Sequence, residues 1–168
     1  MAVTIRLALP ADAPAMAEIH MRSWEAAYRD IVPAAYIREK NAGRLELWRR
    51  VITEDNDSRY IILADGNPAG MLCIGPSKDD DAADGDYELY AIYLHPDYYR
   101  QGIGTQAVDY AVDTARKLGK LSMTLWVFAE NANAIAFYSA VGFAPDGMAR
   151  TGEYGKTLDT IRMRRELQ

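Results

Sequence analysis

Cysteine is almost absent: Cys73 is the only one in 168 residues. That excludes an intramolecular disulfide and any multi-cysteine metal site. Its setting in the apolar run GMLCIG reads as an inert core thiol. Histidine is scarce as well. His20 and His95 stand far apart, with no partners at ligand spacing, so no metal is expected. An excess of basic residues is missing: 19 Lys and Arg against 24 Asp and Glu leave a net charge of −5. This argues against a nucleic-acid partner and accords with a cationic one. No apolar run approaches the ~18 residues of a membrane span. The opening MAVTIRLALPADAP lacks the charged start and long apolar stretch of a signal peptide. The expectation is a cytoplasmic protein with no membrane partner.

What is present is ordinary for a globular chain, with 49% hydrophobic and 26% charged residues. The length fits one domain over residues 1–168 and is short for two. VTIRLAL alternates as a strand. Asp12 then stands where a helix cap would be, before Met16, Ile19, Ser23 and Ala27 on one helical face. A second helical region is weakened at NAG and resumes with Leu45, Trp48 and Val51 on one face. RYIILA and AGMLCIG flank DGNP, a hairpin signal. PSKDDDAADGD is a polar loop leading into the strand YELYAIYL. A helix follows from Ile103 to about Leu118, with Gly119 at its end, then the strand LSMTLWVF. ENANAIAFYSAV is a helix closed by Gly142, and LDTIRMRREL reads as a last strand. A hairpin feeding a β-α-β-α run predicts an α/β (α+β) fold. Its sheet is mixed, with helices on both faces and one right-handed parallel crossover.

The turn before the Ile103 helix carries two glycines, in YRQGIG. Glycine lets another group approach the backbone. The first turn of a helix offers free N–H groups and a positive dipole end, which favour an anion such as a phosphate. A Walker loop is excluded, because Thr105 and Gln106 stand where Lys-Ser/Thr is required. Gly102, Gly104 and Ala107 spell G-x-G-x-x-A, yet HPDYYRQ separates the strand from the first glycine. A dinucleotide fingerprint allows no such gap.

YRQGIG (Tyr99 to Gly104) resembles the Q/R-x-x-G-x-G/A signature of the GNAT superfamily of acyl-coenzyme A dependent N-acetyltransferases, departing at Tyr99. NANAIAFYSAVGF (Asn131 to Phe143) is similar to a second segment of that family, and the order of elements follows it over nearly the whole chain. The resemblance implies a GNAT fold, a central mixed, mostly antiparallel twisted sheet flanked by helices. It implies acetyl-CoA as acyl donor and a coenzyme pyrophosphate held by backbone N–H groups of Tyr99, Arg100, Gln101, Gly102, Ile103, Gly104 and Thr105, closest at the two glycines. Ile92 and Leu94 would pair with the pantetheine arm, the Ile92 N–H would face the thioester carbonyl, and Asn131 would contact the coenzyme. Tyr138 matches the tyrosine near the coenzyme sulfur, and Glu88 the glutamate some members use as general base. The first two helices wall the acceptor pocket in similar proteins, which brings in Trp24 and Tyr28 of SWEAAY.

The chemistry asks for the same groups. An amine is mostly protonated at neutral pH, so a base must take its proton, and the leaving thiolate benefits from an acid. Attack on a thioester develops an oxyanion best met by a fixed N–H. Period two puts Glu88 on one strand face with Tyr90, Ile92 and Leu94. Each residue also has a plainer reading. Glu88 is an edge carboxylate, Tyr138 a half-buried aromatic, and Asn131 a helix cap. Trp24 and Tyr28 are core packing, or rings cradling a cation. Asp79, Asp80, Asp81, Asp84 and Asp86 form a solvated loop, or one that steers a cation. The leading acceptor is a small primary amine, reached by direct transfer in a ternary complex. A protein N-terminus or lysine, and a silent acyl-coenzyme A binding module, are the rivals. Family members often form homodimers.

Overall fold

The alternating segments become one seven-stranded sheet in the computed structural model, which describes residues 1–55 and 58–168. The strands are β1 (Val3–Leu7), β2 (Arg59–Ala64), β3 (Asn67–Pro76), β4 (Asp86–Leu94), β5 (Ser122–Phe128), β6 (Ala144–Glu153) and β7 (Thr157–Glu166). Their spatial order is β1-β2-β3-β4-β5-β7-β6, with β4 and β5 parallel and all other pairs antiparallel. Asp65 and Gly66 both take positive φ, 49° and 80°, and close the β2–β3 hairpin in two residues.

The helices are α1 (Ala13–Ala27), α2 (Ala34–Asn41), α3 (Arg44–Glu54), α4 (Ile103–Lys117) and α5 (Ala132–Ala140). Helix α4 lays Ile103, Ala107, Val108, Ala111, Val112 and Ala115 on one face of the sheet, against Met123, Leu125 and Met163. Small residues at helical spacing let the helix axis come close. On the opposite face, Met16 and Ile19 of α1 meet Trp48 and Ile52 of α3 over Ile61 and Met71. Gly119 and Gly142, at φ 74° and 98°, end α4 and α5 in the left-handed conformation. Asp12 forms no cap hydrogen bond to α1. It accepts from the Leu9 N–H at 2.7 Å and pairs with Arg6.

Two departures from regular pairing position the site. The β3–β4 register runs from Gly70↔Leu94 to Cys73↔Ala91 and resumes at Ile74↔Leu89, so Tyr90 is the extra residue of a bulge. The parallel β4–β5 pairing covers only Asp86↔Ser122 to Glu88↔Thr124. Beyond Glu88 the two strands splay, and a wedge opens in the middle of the sheet.

Candidate active site

The splay leaves one edge of β4 unpaired from Leu89 to Leu94. Strand N–H groups alternate sides. The His95 N–H turns toward β3, bonding Ala69 O at 2.8 Å, so those of Ile92 and Leu94 face the open edge. The bulge breaks the alternation of side chains above it. Ile92 and Leu94 pack with the α4 side, as Tyr87 and Leu89 do, while Tyr90, Ala91 and Tyr93 pack with the α1 side. Glu88 therefore stands on the face opposite Ile92 and Leu94. The simple period-two expectation fails because one residue was inserted.

Glu88 lies at the closed end of the wedge and is 9% exposed. Its Oε1 accepts the Lys78 N–H at 3.1 Å. Burial, with Asp79 nearby, pushes its pKa up against the opposing Lys78 N–H and the charges of Arg150 and Lys78. The hydroxyl of Thr124, its partner across the last β4–β5 pair, is buried with no hydrogen-bond partner among the described residues.

Tyr138 projects from α5, edge-on to Phe137 and Phe143. Burial, and next the Tyr93 phenol, raise its pKa, so it stays protonated through the neutral range. Tyr28 on the other face senses the Tyr93 and Tyr138 phenols. The phenols of Tyr28 and Tyr138, on the two faces of the sheet, lie within electrostatic range of each other.

At the mouth, the Gly102 turn precedes α4 with Arg100 at φ 58° and Gly102 at φ 78°. The first α4 hydrogen bond runs from Gln106 N–H to Gly102 O, leaving the N–H groups of Ile103, Gly104 and Thr105 open. Those of Arg100, Gln101 and Gly102 bond no backbone carbonyl among the described residues either. A Cβ on Gly102 would meet nothing within 4 Å, so the turn faces open space. Six free donors at a helix N-terminus, beside an unpaired strand edge, fit a pyrophosphate and its pantetheine arm.

Two expectations at this turn are corrected. The Tyr99 N–H is spent on Pro96 O at 3.1 Å, and the Tyr99 phenol lies near Ser23 of α1. Gly104 does not face the opening: a Cβ there would stand 3.1 Å from Phe137 Cζ. That glycine lets α4 and α5 pack. Asn131 caps α5, its Oδ1 accepting the Ala134 N–H at 3.2 Å.

The chain matches the family model described as "Acetyltransferase (GNAT) family" over residues 13–143. This chain belongs to the GNAT family. The GNAT match extends to relatives. An uncharacterized N-acetyltransferase, YuaI of Bacillus subtilis, is 30% identical over 88% of this chain and 82% of its own length. The ribosomal protein bS18-alanine N-acetyltransferase of Escherichia coli is 31% identical over 67% of this chain and 74% of its own. The chain spans about half of another relative, the uncharacterized N-acetyltransferase MJ1207 of Methanocaldococcus jannaschii, with 51% of that protein covered at 30% identity. The crystal structure of the PaiA N-acetyltransferase of Thermoplasma acidophilum in complex with coenzyme A aligns with a TM-score of 0.80, 21% identity and 99% coverage of both chains. It shows that the GNAT fold is shared.

The acidic loop is neither free nor simply solvated. Arg162 of β7, with 5% of its side chain exposed, bonds Asp81 at 2.7 and 2.8 Å, Asp146 at 2.6 Å and Asp79 at 3.2 Å. Asp79 also accepts the Trp126 indole N–H at 3.0 Å. Asp86 accepts from Arg164 and Ser122. The loop is strapped across β5 and β7, which is how Lys78 comes to sit on Glu88.

Trp24 and Tyr28 meet edge-on, 5.2 Å apart, and Tyr28 meets Phe128 at 5.1 Å. A ring face of Trp24 already carries a cation: the Arg44 guanidinium sits 4.3 Å from its centroid. A free cation cradle at Trp24 is thereby excluded on that face. His20, Arg44, Tyr93 and Phe128 were not legible as neighbours of the Trp24 and Tyr28 rings. They come from separate elements and match no motif. His20 has no partner at metal-ligand spacing in the sequence.

Proposed function

We propose that this GNAT protein transfers the acetyl group of acetyl-CoA directly to the primary amine of a small molecule, within a ternary complex. The wedge between β4 and β5 carries the reading. Its support is an open strand edge, a turn of free N–H groups, the buried Glu88 carboxylate and the half-buried Tyr138 phenol.

In this reading the open N–H groups of Arg100, Gln101, Gly102, Ile103, Gly104 and Thr105 hold the pyrophosphate. Ile92 and Leu94 bind the pantetheine arm, and Asn131 orders the start of α5 beside it. Glu88 takes the amine proton, directly or through one water. The nitrogen attacks the thioester carbonyl, and the oxyanion meets the Ile92 N–H. Collapse breaks the C–S bond, and Tyr138 returns a proton to the departing sulfur. Cys73 takes no part as a covalent relay, because burial raises its thiol pKa to about 11.

The test is thiol release on mixing the protein with acetyl-CoA and a panel of amines. Release driven by small amines supports the proposal. Release only with peptides would favour a protein acceptor, a protein N-terminus or lysine; a ribosomal protein's alanine is the acceptor in the name of the bS18-alanine relative. Coenzyme binding with no release from any amine would make the chain an acyl-coenzyme A binding module.

A further inference from the structure

Three buried N–H donors without partners gather around the Trp24 ring. His20 and Arg44 are each 6% exposed, and His20 Nε2, Trp24 Nε1 and Arg44 Nη2 find no hydrogen-bond partner among the described residues. The His20 ring lies 5.6 Å from Trp24 and the Arg44 guanidinium 4.3 Å from it. Trp48 Nε1 donates to His20 Nδ1 at 3.1 Å, so in the neutral ring Nε2 carries the hydrogen and is a donor. Burial and then the charge of Arg44 hold the His20 pKa down at about 3. Burial raises the Tyr93 phenol pKa, and the nearby Trp24 N–H opposes that rise without the alignment of a bond.

Arg44 is the unusual member. A buried guanidinium is normally paired with a carboxylate. Here its Nε reaches the amide of Asn41 at 3.3 Å, and its neighbours are the rings of Trp24, Tyr93, Tyr36 and Tyr28. Glu25, which accepts from Asn41 at 3.5 Å, stays one residue removed. An uncompensated buried cation, flanked by two more orphan donors at the Trp24 ring, lacks one thing: an anionic acceptor of hydrogen bonds. A planar carboxylate matches a guanidinium fork and two N–H groups.

We propose that His20, Trp24 and Arg44 form a carboxylate-binding subsite, and that the acceptor is an amino acid presenting its amine to Glu88 and its carboxylate to Arg44. The inference rests on the acetyl-transfer reading above. It also reverses the cationic acceptor suggested by the net charge. A polyamine would bring positive charge to a buried cation that already lacks a counter-charge.

The experiment measures kcat/KM for a series of α- to ε-amino acids, each paired with the amine that lacks the carboxylate. One spacing should be preferred over its plain amine on the order of 10- to 100-fold. In Arg44→Gln and in Trp24→Phe that ratio should fall toward one, and Arg44→Lys should recover part of it. A ratio near one in the natural protein, or one retained in both Arg44→Gln and Trp24→Phe, overturns the subsite while leaving acetyl transfer standing. Should no amine be acetylated, the transfer reading fails, and calorimetry decides the subsite separately. N-acetyl amino acids titrated into the coenzyme A-loaded protein should bind, and should bind at least tenfold more weakly to Trp24→Phe and Arg44→Gln. No binding by any of them overturns the proposal.

Discussion

Glu88 is costly to the fold where it is useful to the chemistry. Its folded pKa is raised by burial, so the folded state prefers the protonated form. Stability credited to that preference is present at low pH and is lost as pH rises through the folded pKa. Glu88→Gln keeps the Lys78 N–H contact and removes the charge. At pH 7 it should melt no lower than the natural protein, and the melting curves should converge at acid pH. Turnover should fall about 100-fold at neutral pH and recover partly at high pH, where the amine is already free. Equal plateaus in turnover against pH for both proteins would remove Glu88 from the chemistry. Tyr138→Phe preserves the ring against Phe137 and Phe143. Turnover should drop on the order of 10- to 100-fold with little change in coenzyme affinity. Unchanged turnover with a good acceptor would leave Tyr138 as packing.

The glycine turn and the acidic loop act as elements. Gly102 and Gly104 are separated by one residue and do different work. Gly102→Ala places a side chain in a left-handed conformation costing about 1–2 kcal/mol, over the open N–H groups. Coenzyme A affinity by calorimetry should fall severalfold or more. Gly104→Val meets the Phe137 ring instead, so its chief effect should be a lower melting temperature and a displaced α5. If Gly104→Val weakens coenzyme binding with melting unchanged, this division is mistaken. In the loop, Arg162→Met replaces a buried cation beside the half-buried Asp79 and Asp146. A loss of about 3 kcal/mol is expected at pH 7 in denaturant titrations. Asp146 has its folded pKa lowered, by its Met148 N–H bond and Arg162 acting against burial. Its stabilising contribution is present above its unfolded pKa and is lost as pH falls through the folded one. The deficit of Arg162→Met should therefore shrink as pH is lowered toward that range.

At the scale of the molecule, the parted strands are the device on which the other features depend. β4 pairs with β5 for three residues and then leaves it, so a sheet with a continuous core still exposes backbone donors at its centre. Hydrogen exchange tests this directly. The amides of Ile92 and Leu94 should exchange quickly in the free protein and slow on addition of acetyl-CoA. The Tyr93 amide, turned toward β3, should be protected in both states. Protection of Ile92 and Leu94 without coenzyme would mean that the wedge is closed in solution.

Local chemistry was legible in the chain. The hairpin at DGNP, the α4 and α5 caps at Gly119 and Gly142, the parallel crossover and the glycine turn all follow from backbone preference and hydrophobic period. These act over a few residues and need no distant partner. The residues gathered around Trp24 and Glu88 do not. In α3 the periodic apolar face proposed Leu45, yet Leu45 is 39% exposed and Arg44 is buried in its place. The bulge at Tyr90 turned Glu88 away from Ile92 and Leu94, although the spacing of those residues is even. The aspartates of the loop looked free until Arg162, about 80 positions away, closed on them. The sequence by itself determined which segments pair and where the chain must turn, because those energies are local. Tertiary structure alone decided which side chains face one another across the wedge, because a single inserted residue or one long-range ion pair reverses a face at little local cost.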